Sequence, residues 1–115
     1  MTAVMDAPGR ISIEEFRKLD LRIAEILSAE PHPNADRLLL LRIKIGTEER
    51  QLVAGIRQAY AMPELVGKKV VVVCNLEPAV IRGIESQGML LVASGANGPV
   101  ILIPEKPVDS GTVIK

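Results

Sequence analysis

Four polar side chains able to bind a ligand lie close together in residues 75–88, a glycine-punctuated segment between two apolar runs. Ser86 and Gln87 can both donate and accept hydrogen bonds, as contacts with phosphates, hydroxyl groups and base edges require. The planar guanidinium of Arg82 suits a phosphate, and Asn75 adds a further amide. No pair of residues that resembles a catalytic pair accompanies these groups. The segment therefore predicts a binding edge rather than a reaction centre.

The glycines and the methionine of this region each have two interpretations. Gly83 and Gly88 either let the backbone approach a ligand closely or form turns that Ser86 caps. Met89 begins the next apolar run, where it either fills the core or offers a soft contact to an exposed base. The residues alone leave both choices open.

Basic residues are modestly enriched in the middle of the chain. Arg42 and Lys44, together with Arg37, form either a basic stripe or an ordinary solvated strand face. Arg57 and Tyr60 are secondary candidates for the binding face. The chain has one Phe and one Tyr, so binding of single-stranded nucleic acid by repeated base stacking is disfavoured.

Catalytic and metal sites are not predicted. His32 is the only histidine and Cys74 the only cysteine, and one of each cannot form a zinc site of the usual spacing. The acidic pairs at 14–15 and 48–49 are adjacent in sequence and diverge in space, so neither forms a catalytic pair. The sequence also lacks a phosphate-cradling glycine motif. We therefore expect no enzyme activity, no metal and no cofactor.

The composition favours one compact domain in a reducing compartment. The 115 residues are 48% hydrophobic, which is enough to close a core, and 14 basic residues balance 14 acidic ones. Cys74 follows the valines at 70–73 and is expected to be a buried, inert thiol. No secretory signal and no apolar run of membrane-spanning length is found, so a cytoplasmic location without membrane contact is expected.

Capping and turn signals divide the chain into short elements. Residues 1–10 lack periodicity and are expected to be a flexible lead-in to a single domain at 11–115. Ser12 and Glu15 form a capping box that predicts a short helix at 13–18. This helix is too short to stand alone, so its apolar side chains are expected to dock on the domain or on a second subunit. The predicted strands are 19–29, 38–45, 50–54, 68–74 and 89–93, with extension strands at 100–103 and 112–114.

Short strands separated by turns predict an all-β fold. Residues 31–36 carry two prolines and form a rigid turn, and residues 57–61 form a helical turn that is stopped at Pro63. One helical insertion after the third strand favours a closed five-stranded barrel, the oligonucleotide-binding (OB) fold, with a short N-terminal helix and C-terminal extension strands. The aliphatic content exceeds what a small barrel encloses, which favours an oligomer.

Several segments match those of one known family in the same order, from residue 13 to the end of the chain. These segments are Phe16 with 19–22, 32–36, 53–56, 63–69, 75–78 and 82–89. On these segments the chain resembles the tRNA-binding domain found at the C-terminus of many methionyl-tRNA synthetases, in related synthetase cofactors, and as a free-standing homodimeric tRNA-binding protein.

The resemblance implies an OB-fold barrel that dimerises through its added elements. It also implies binding of tRNA by its folded L shape, without catalysis. The functional signature of the family, Ser-x-Gly-Met, corresponds here to Ser86 and Met89, with Asn75 and Arg82 as neighbours. Together with Gln87, these are the residues expected to contact RNA.

The expected function is a structure-specific, non-catalytic tRNA-binding protein that acts in trans as a homodimer. It would serve as a beta subunit of methionyl-tRNA synthetase or as an accessory factor. Glu77 and Val80 stand where other members often place lysine or arginine, which implies lower affinity or a narrower target. The alternative is a chaperone-like module that binds unfolded peptides, because related small dimeric barrels do so and the aliphatic content permits it.

Overall fold

The computed structural model describes residues 9–115, so the predicted lead-in at 1–10 lies almost entirely outside the described residues. Within this range, two four-residue helices accompany ten short strands. No helix of the described range is long and apolar enough to cross a membrane. The elements are α1 (Ile13–Phe16), β1 (Leu21–Pro31), β2 (Leu39–Ile45), β3 (Glu48–Ala54), α2 (Met62–Leu65), β4 (Lys69–Val73), β5 (Ala79–Ile81), β6 (Ile84–Ser86), β7 (Met89–Leu90), β8 (Val92–Gly95), β9 (Gly98–Ile101) and β10 (Val113–Ile114).

A curled antiparallel sheet forms the body of the domain, with the strand order β3-β2-β1-β4-β7. β10 extends this sheet beside the start of β1, where Leu21 pairs with Ile114. The seam between β3 and β7 is closed by residues 86–87, where the Gln87 N–H donates to the Gln51 carbonyl at 2.9 Å. The predicted fold class, an all-β OB barrel with a short N-terminal helix and C-terminal extension strands, is thereby confirmed.

The barrel interior is aliphatic and follows the alternation of the strands. Along β2, Leu39, Leu41 and Ile43 are almost fully buried, whereas Arg42 and Lys44 between them face outward. The same alternation on the paired strands brings their inward side chains into one continuous core. Burial of this apolar surface is the main force that holds the short strands together.

Helix α1 begins as predicted but ends earlier. The Ser12 hydroxyl accepts a hydrogen bond from the Glu15 N–H at 3.1 Å, as expected of an N-cap. The helix ends at Phe16, with Arg17 as its C-cap, instead of continuing to residue 18. None of its residues is buried, and Ile13 is 52% exposed. The helix therefore lacks the tertiary packing that extends a short helix.

The helical segment after β3 also differs from the prediction. The Ile56 carbonyl accepts hydrogen bonds from the Ala59 and Tyr60 N–H groups, which forms a single turn there, but the helix itself is α2. Pro63 lies within the first turn of α2 instead of stopping a helix before it. A proline is tolerated at this position because the first N–H groups of a helix have no helical acceptor.

The strand predicted at 89–93 is divided between two sheets. Met89 and Leu90 pair with β4 as β7, and the Leu91 N–H still donates to the Val71 carbonyl at 3.0 Å. From Val92 the chain forms a separate hairpin, in which β8 pairs with β9. The extension strand predicted at 100–103 is therefore part of this hairpin rather than of the barrel.

Candidate functional site

Residues 75–88 contain a β-hairpin, where the sequence predicted an open loop. β5 pairs with β6, and Ile81 faces Ile84 across a two-residue turn. Both turn residues have positive φ, 54° at Arg82 and 90° at Gly83, as a type I′ turn requires. The turn interpretation of Gly83 is thus confirmed. An Arg-Gly pair between short apolar runs was the available signal, but it is weaker than Asn-Gly or Asp-Gly.

A buried histidine attaches this hairpin to the turn between β1 and β2. His32 is 3% exposed, and its Nε2 lies 3.0 Å from the Ile81 carbonyl oxygen. Its Nδ1 accepts a hydrogen bond from the Asn34 N–H at 2.9 Å. Because Nδ1 is occupied as an acceptor, the proton lies on Nε2 and is donated to Ile81. His32 therefore has a structural role that sequence analysis did not predict.

The tip of the hairpin is bound to the same turn by a reciprocal pair of hydrogen bonds. The Arg82 Nη2 donates to the Asn34 carbonyl at 3.2 Å, and the Asn34 Nδ2 donates to the Arg82 carbonyl at 3.4 Å. The remaining guanidinium donors of Arg82 have no partner among the described residues, and the side chain is exposed. We call this assembly, His32 and Asn34 bonded to Ile81 and Arg82, the hairpin clamp.

Ser86 is used inside the fold. Its side chain is 3% exposed, accepts a hydrogen bond from the Val53 N–H at 3.0 Å and donates to the Gly88 carbonyl at 3.0 Å. The serine fixes the course of the chain between β6 and β7 against β3. Removal of its hydroxyl would leave the Val53 N–H without an acceptor, so a variant at Ser86 reports first on this geometry.

Gln87 lies beside it at the surface. Its Oε1 accepts from the Gln51 N–H at 3.1 Å, and its Nε2 donates to the Glu85 carboxylate at 3.3 Å. The side chain is exposed, and one of its amide hydrogens is still available. Gln87 is therefore accessible to a ligand, whereas Ser86 is not.

Asn75 joins the end of β4 to the segment before β1. Its Oδ1 accepts from the Asp20 N–H at 2.8 Å, and its Nδ2 donates to the Lys18 carbonyl at 2.6 Å. These partners are 55 and 57 residues away in the sequence. Although Asn75 is exposed, its two hydrogen bonds hold the fold together, at a distance from the hairpin clamp.

Arg50 supports the same region and was not predicted from the sequence. Its guanidinium donates to the carbonyls of Cys74 and Gln87 and forms an ion pair with Glu48, with Nε and Oε2 2.8 Å apart. The hydrogen bond between the two side chains raises the pKa of Arg50 and lowers the pKa of Glu48. Burial raises the pKa of the Cys74 thiol, which is the buried cysteine that was expected.

The basic residues of β2 face carboxylates. Arg42 forms an ion pair with Glu49, with Nε and Oε1 3.5 Å apart. Lys44 pairs with Glu25 on β1 and with Glu49 on β3 in the strand registers, so its side chain shares a face with both. The structure thus favours a solvated, charge-balanced strand face over a basic stripe.

The remaining candidates for RNA contact lie at the end of the barrel where β2 begins and β3 ends, and they are Arg57, Tyr60 and Met89. The Arg57 N–H donates to the Arg37 carbonyl at 3.4 Å. The Tyr60 hydroxyl accepts from the Ile101 N–H at 3.0 Å, so the phenol holds β9 against the barrel. Met89 is 46% exposed and borders a depression of about 270 Å³ with an apolar lining, which includes Ile56. Its exposure favours a surface contact over core filling.

The predicted residues therefore divide into three groups. Arg82 is part of the hairpin clamp, and Arg57 and Met89 lie at the end of the barrel where β2 begins and β3 ends. Ser86 and Asn75 are bonded within the fold. The others lie along the outer face of the barrel or support the C-terminal hairpin, and these are Arg42, Lys44, Gln87 and Tyr60.

Known proteins match this chain over nearly the whole domain. The family model described as "Putative tRNA binding domain" matches residues 21–113. A methionine-tRNA ligase of Thermococcus kodakarensis is 48% identical over 105 residues, which are 91% of this chain and 14% of that protein. A methionine-tRNA ligase of Deinococcus radiodurans is 50% identical over 108 residues, 93% of this chain and 16% of that protein. The chain thus spans about one seventh of the length of these curated relatives.

Two solved structures share the complete fold. The crystal structure of a MetRS related protein from Pyrococcus horikoshii is 31% identical, with a TM-score of 0.86, and covers 94% of this chain and 100% of that one. The chaperone CsaA from Bacillus anthracis is 30% identical, with a TM-score of 0.85, and covers 93% of this chain and 100% of that one.

Proposed function

The chain belongs to the tRNA-binding domain family, and on that premise we propose that it is a non-catalytic module that binds folded tRNA in trans. The observation that carries this proposal is the extent of the family match. It covers residues 21–113, which include the barrel, the hairpin clamp and the C-terminal hairpin. The module would present tRNA to a separate enzyme or shield the tRNA.

The exposed residues near the hairpin would contact RNA, and residues whose side chains are hydrogen-bonded within the fold would position them. We assign direct contact to Arg82, Gln87 and Met89, because each has surface-exposed atoms that can reach a ligand. Ser86 and Asn75 act through the geometry that their internal hydrogen bonds maintain. Arg57 belongs to the contact surface because it lies beside the clamp. We assign smaller contributions to RNA binding to Arg42 and Lys44, which lie on the outer face of the barrel. We assign a further small contribution to Tyr60, which supports the C-terminal hairpin.

Charge limits the strength of the interaction. The whole chain is electrically neutral by composition, with 14 basic and 14 acidic residues. Glu77 and Val80 are exposed beside the hairpin, where an additional cation would strengthen phosphate binding. A neutral domain of this kind contacts fewer phosphates than a strongly basic one, so we expect modest affinity.

A methionyl-tRNA synthetase is the proposed partner. Curated relatives of this chain include methionine-tRNA ligases, in which the matching region is a small part of a longer chain. We propose that this chain serves such an enzyme as a separate beta subunit or accessory factor in the cytoplasm. It would increase the affinity of the synthetase for tRNA without contributing catalytic residues.

A homodimer would cover the apolar surface that the single chain leaves exposed. Ile11, Ile13 and Leu19 flank or belong to α1, and they are 67%, 52% and 44% exposed. Val113 on β10, 49% exposed, pairs with Arg22 near the start of β1. We predict that sedimentation at micromolar concentration gives about twice the 12.4 kDa of the chain. A clean monomer under these conditions would contradict the homodimer.

Peptide binding is the second candidate function, and the likeness to a chaperone structure favours it. Ionic strength separates the two candidates. Binding through Z phosphates should weaken with a log-log slope of about −0.9Z on duplex regions, whereas apolar peptide binding should not weaken with salt. The test is titration of bulk folded tRNA and of an unfolded polypeptide between about 50 and 200 mM salt. Salt-insensitive binding of the polypeptide, with no binding of tRNA, would replace the proposed function by the second candidate.

A further inference from the structure

Three arginines from distant parts of the sequence meet at the turn between β1 and β2. Arg37 lies in this turn, and its carbonyl accepts the Arg57 N–H at 3.4 Å. Arg82 reaches the same turn from the hairpin, through its hydrogen bond to the Asn34 carbonyl at 3.2 Å. We call these three residues the arginine cluster. The fold therefore concentrates positive charge at one end of a chain that is neutral as a whole.

No member of the cluster has an acidic partner among the described residues, in contrast to three arginines of the barrel strands. Arg22, Arg42 and Arg50 each form an ion pair with a neighbouring carboxylate. The four ion pairs found in residues 9–115 involve no member of the cluster. Asp36 is the one carboxylate of the turn at 32–38, and it is exposed. Glu85 is the carboxylate of the hairpin at 79–86, so the three guanidinium groups outnumber two carboxylates and make this end attractive to an anion.

The geometry of the cluster is fixed before any ligand arrives. The hairpin clamp joins the turn at His32 and Asn34 to the hairpin at Ile81 and Arg82. Two prolines, at 31 and 33, further restrict the backbone of the turn. Because the backbone is already ordered, the protein loses less conformational entropy when a ligand bridges the turn and the hairpin. OB barrels bind oligonucleotides with the corresponding loops, between strands 1 and 2 and between strands 4 and 5.

We infer that the arginine cluster, Arg37, Arg57 and Arg82, is the phosphate-binding surface of the domain. The inference rests on the proposed function and names the part of tRNA that this end of the barrel contacts, the sugar-phosphate backbone. Planar guanidinium groups bind phosphate oxygens in a bidentate manner, which an ammonium group cannot do. Met89 and its apolar depression lie at the same end and would accept a ribose or an unstacked base beside the bound phosphates.

The test removes two charges without touching the hairpin clamp. In the Arg37→Gln, Arg57→Gln double variant, we expect about tenfold weaker binding of folded tRNA at about 50 mM salt. The log-log salt slope should fall by about 0.9 for each lost phosphate contact, close to 2 for the pair. The matched control is Lys106→Gln, Lys115→Gln, which removes the same charge from exposed positions outside the cluster. Urea unfolding of both variants checks that the fold is unchanged.

A second variant separates guanidinium recognition from simple charge. Arg37→Lys, Arg57→Lys keeps the positive charges and should preserve the salt slope, while part of the affinity is lost with the bidentate contacts. The inference is overturned if Arg37→Gln, Arg57→Gln binds tRNA with the affinity and salt slope of the Lys106→Gln, Lys115→Gln control. In that case, tRNA binding by the unmodified chain still upholds the proposed function. If the unmodified chain binds no tRNA, both are overturned.

Discussion

Replacement of Gly88 with alanine is expected to lower the free energy of unfolding by about 3 kcal/mol, the sum of backbone strain and overpacking. Gly88 has φ 136°, a conformation that residues with a Cβ rarely adopt. An added Cβ would lie 2.9 Å from the Val73 carbonyl oxygen and 3.2 Å from the Leu52 Cδ2. Gly88 therefore approaches the barrel closely.

Urea unfolding of Gly88→Ala and Gly67→Ala measures this effect against a matched control. Gly67 also has positive φ, 90°, but no atom lies within 4 Å of an added Cβ there. The control should lose about 1 kcal/mol, from backbone strain alone. Equal losses in the two variants would show that the contacts of Gly88 with β4 and the core do not constrain this segment.

Replacement of His32 with alanine should release the hairpin. The change leaves the Ile81 carbonyl and the Asn34 N–H without their partner and opens a cavity in a buried position. We expect a loss of about 2–4 kcal/mol in the free energy of unfolding. We also expect at least about tenfold weaker tRNA binding, because the loss of preorganisation separates Arg82 from the rest of the arginine cluster.

Amide hydrogen exchange locates the effect of His32→Ala. Protection should fall in the hairpin, residues 79–86, more than in the strands β1 and β2. His32→Gln supplies the control, because its side-chain amide can replace the Nε2 donor to the Ile81 carbonyl, so it should recover part of the protection and of the affinity. Uniform loss of protection across the barrel, or full tRNA affinity in the alanine variant, would contradict the role of the clamp.

The barrel strands were predictable because their signal is local. Leu41, Ile43 and Ile45 alternate with the outward-facing residues Arg42 and Lys44 within one short segment, which is the pattern of a strand with one buried face. The Ser12 cap was predictable for the same reason. The end of α1 was not, because the length of so short a helix depends on tertiary contacts, and none of its residues is buried in the single chain.

The candidate site was less predictable because its contacts are long-range. The sequence shows that Ser86 has a hydroxyl, but not that the hydroxyl is bonded to the Val53 N–H, 33 residues away. His32 gave no sequence signal of its partner Ile81, 49 residues further along. The arginine cluster likewise depends on topology, which brings Arg37, Arg57 and Arg82 to one end of the barrel. Residue types indicated the chemistry, and the fold determined which groups remain available for it.

Competition between folded tRNA and an unstructured RNA of equal length, at about 50 mM salt, tests the central claim most directly. The claim is that a preorganised, neutral barrel binds tRNA by its folded shape through one basic end. It predicts that folded tRNA displaces a labelled tRNA at least about tenfold more effectively than the unstructured RNA, a difference of about 1.4 kcal/mol. Equal competition by the two RNAs, or displacement by neither because tRNA does not bind, would contradict the claim.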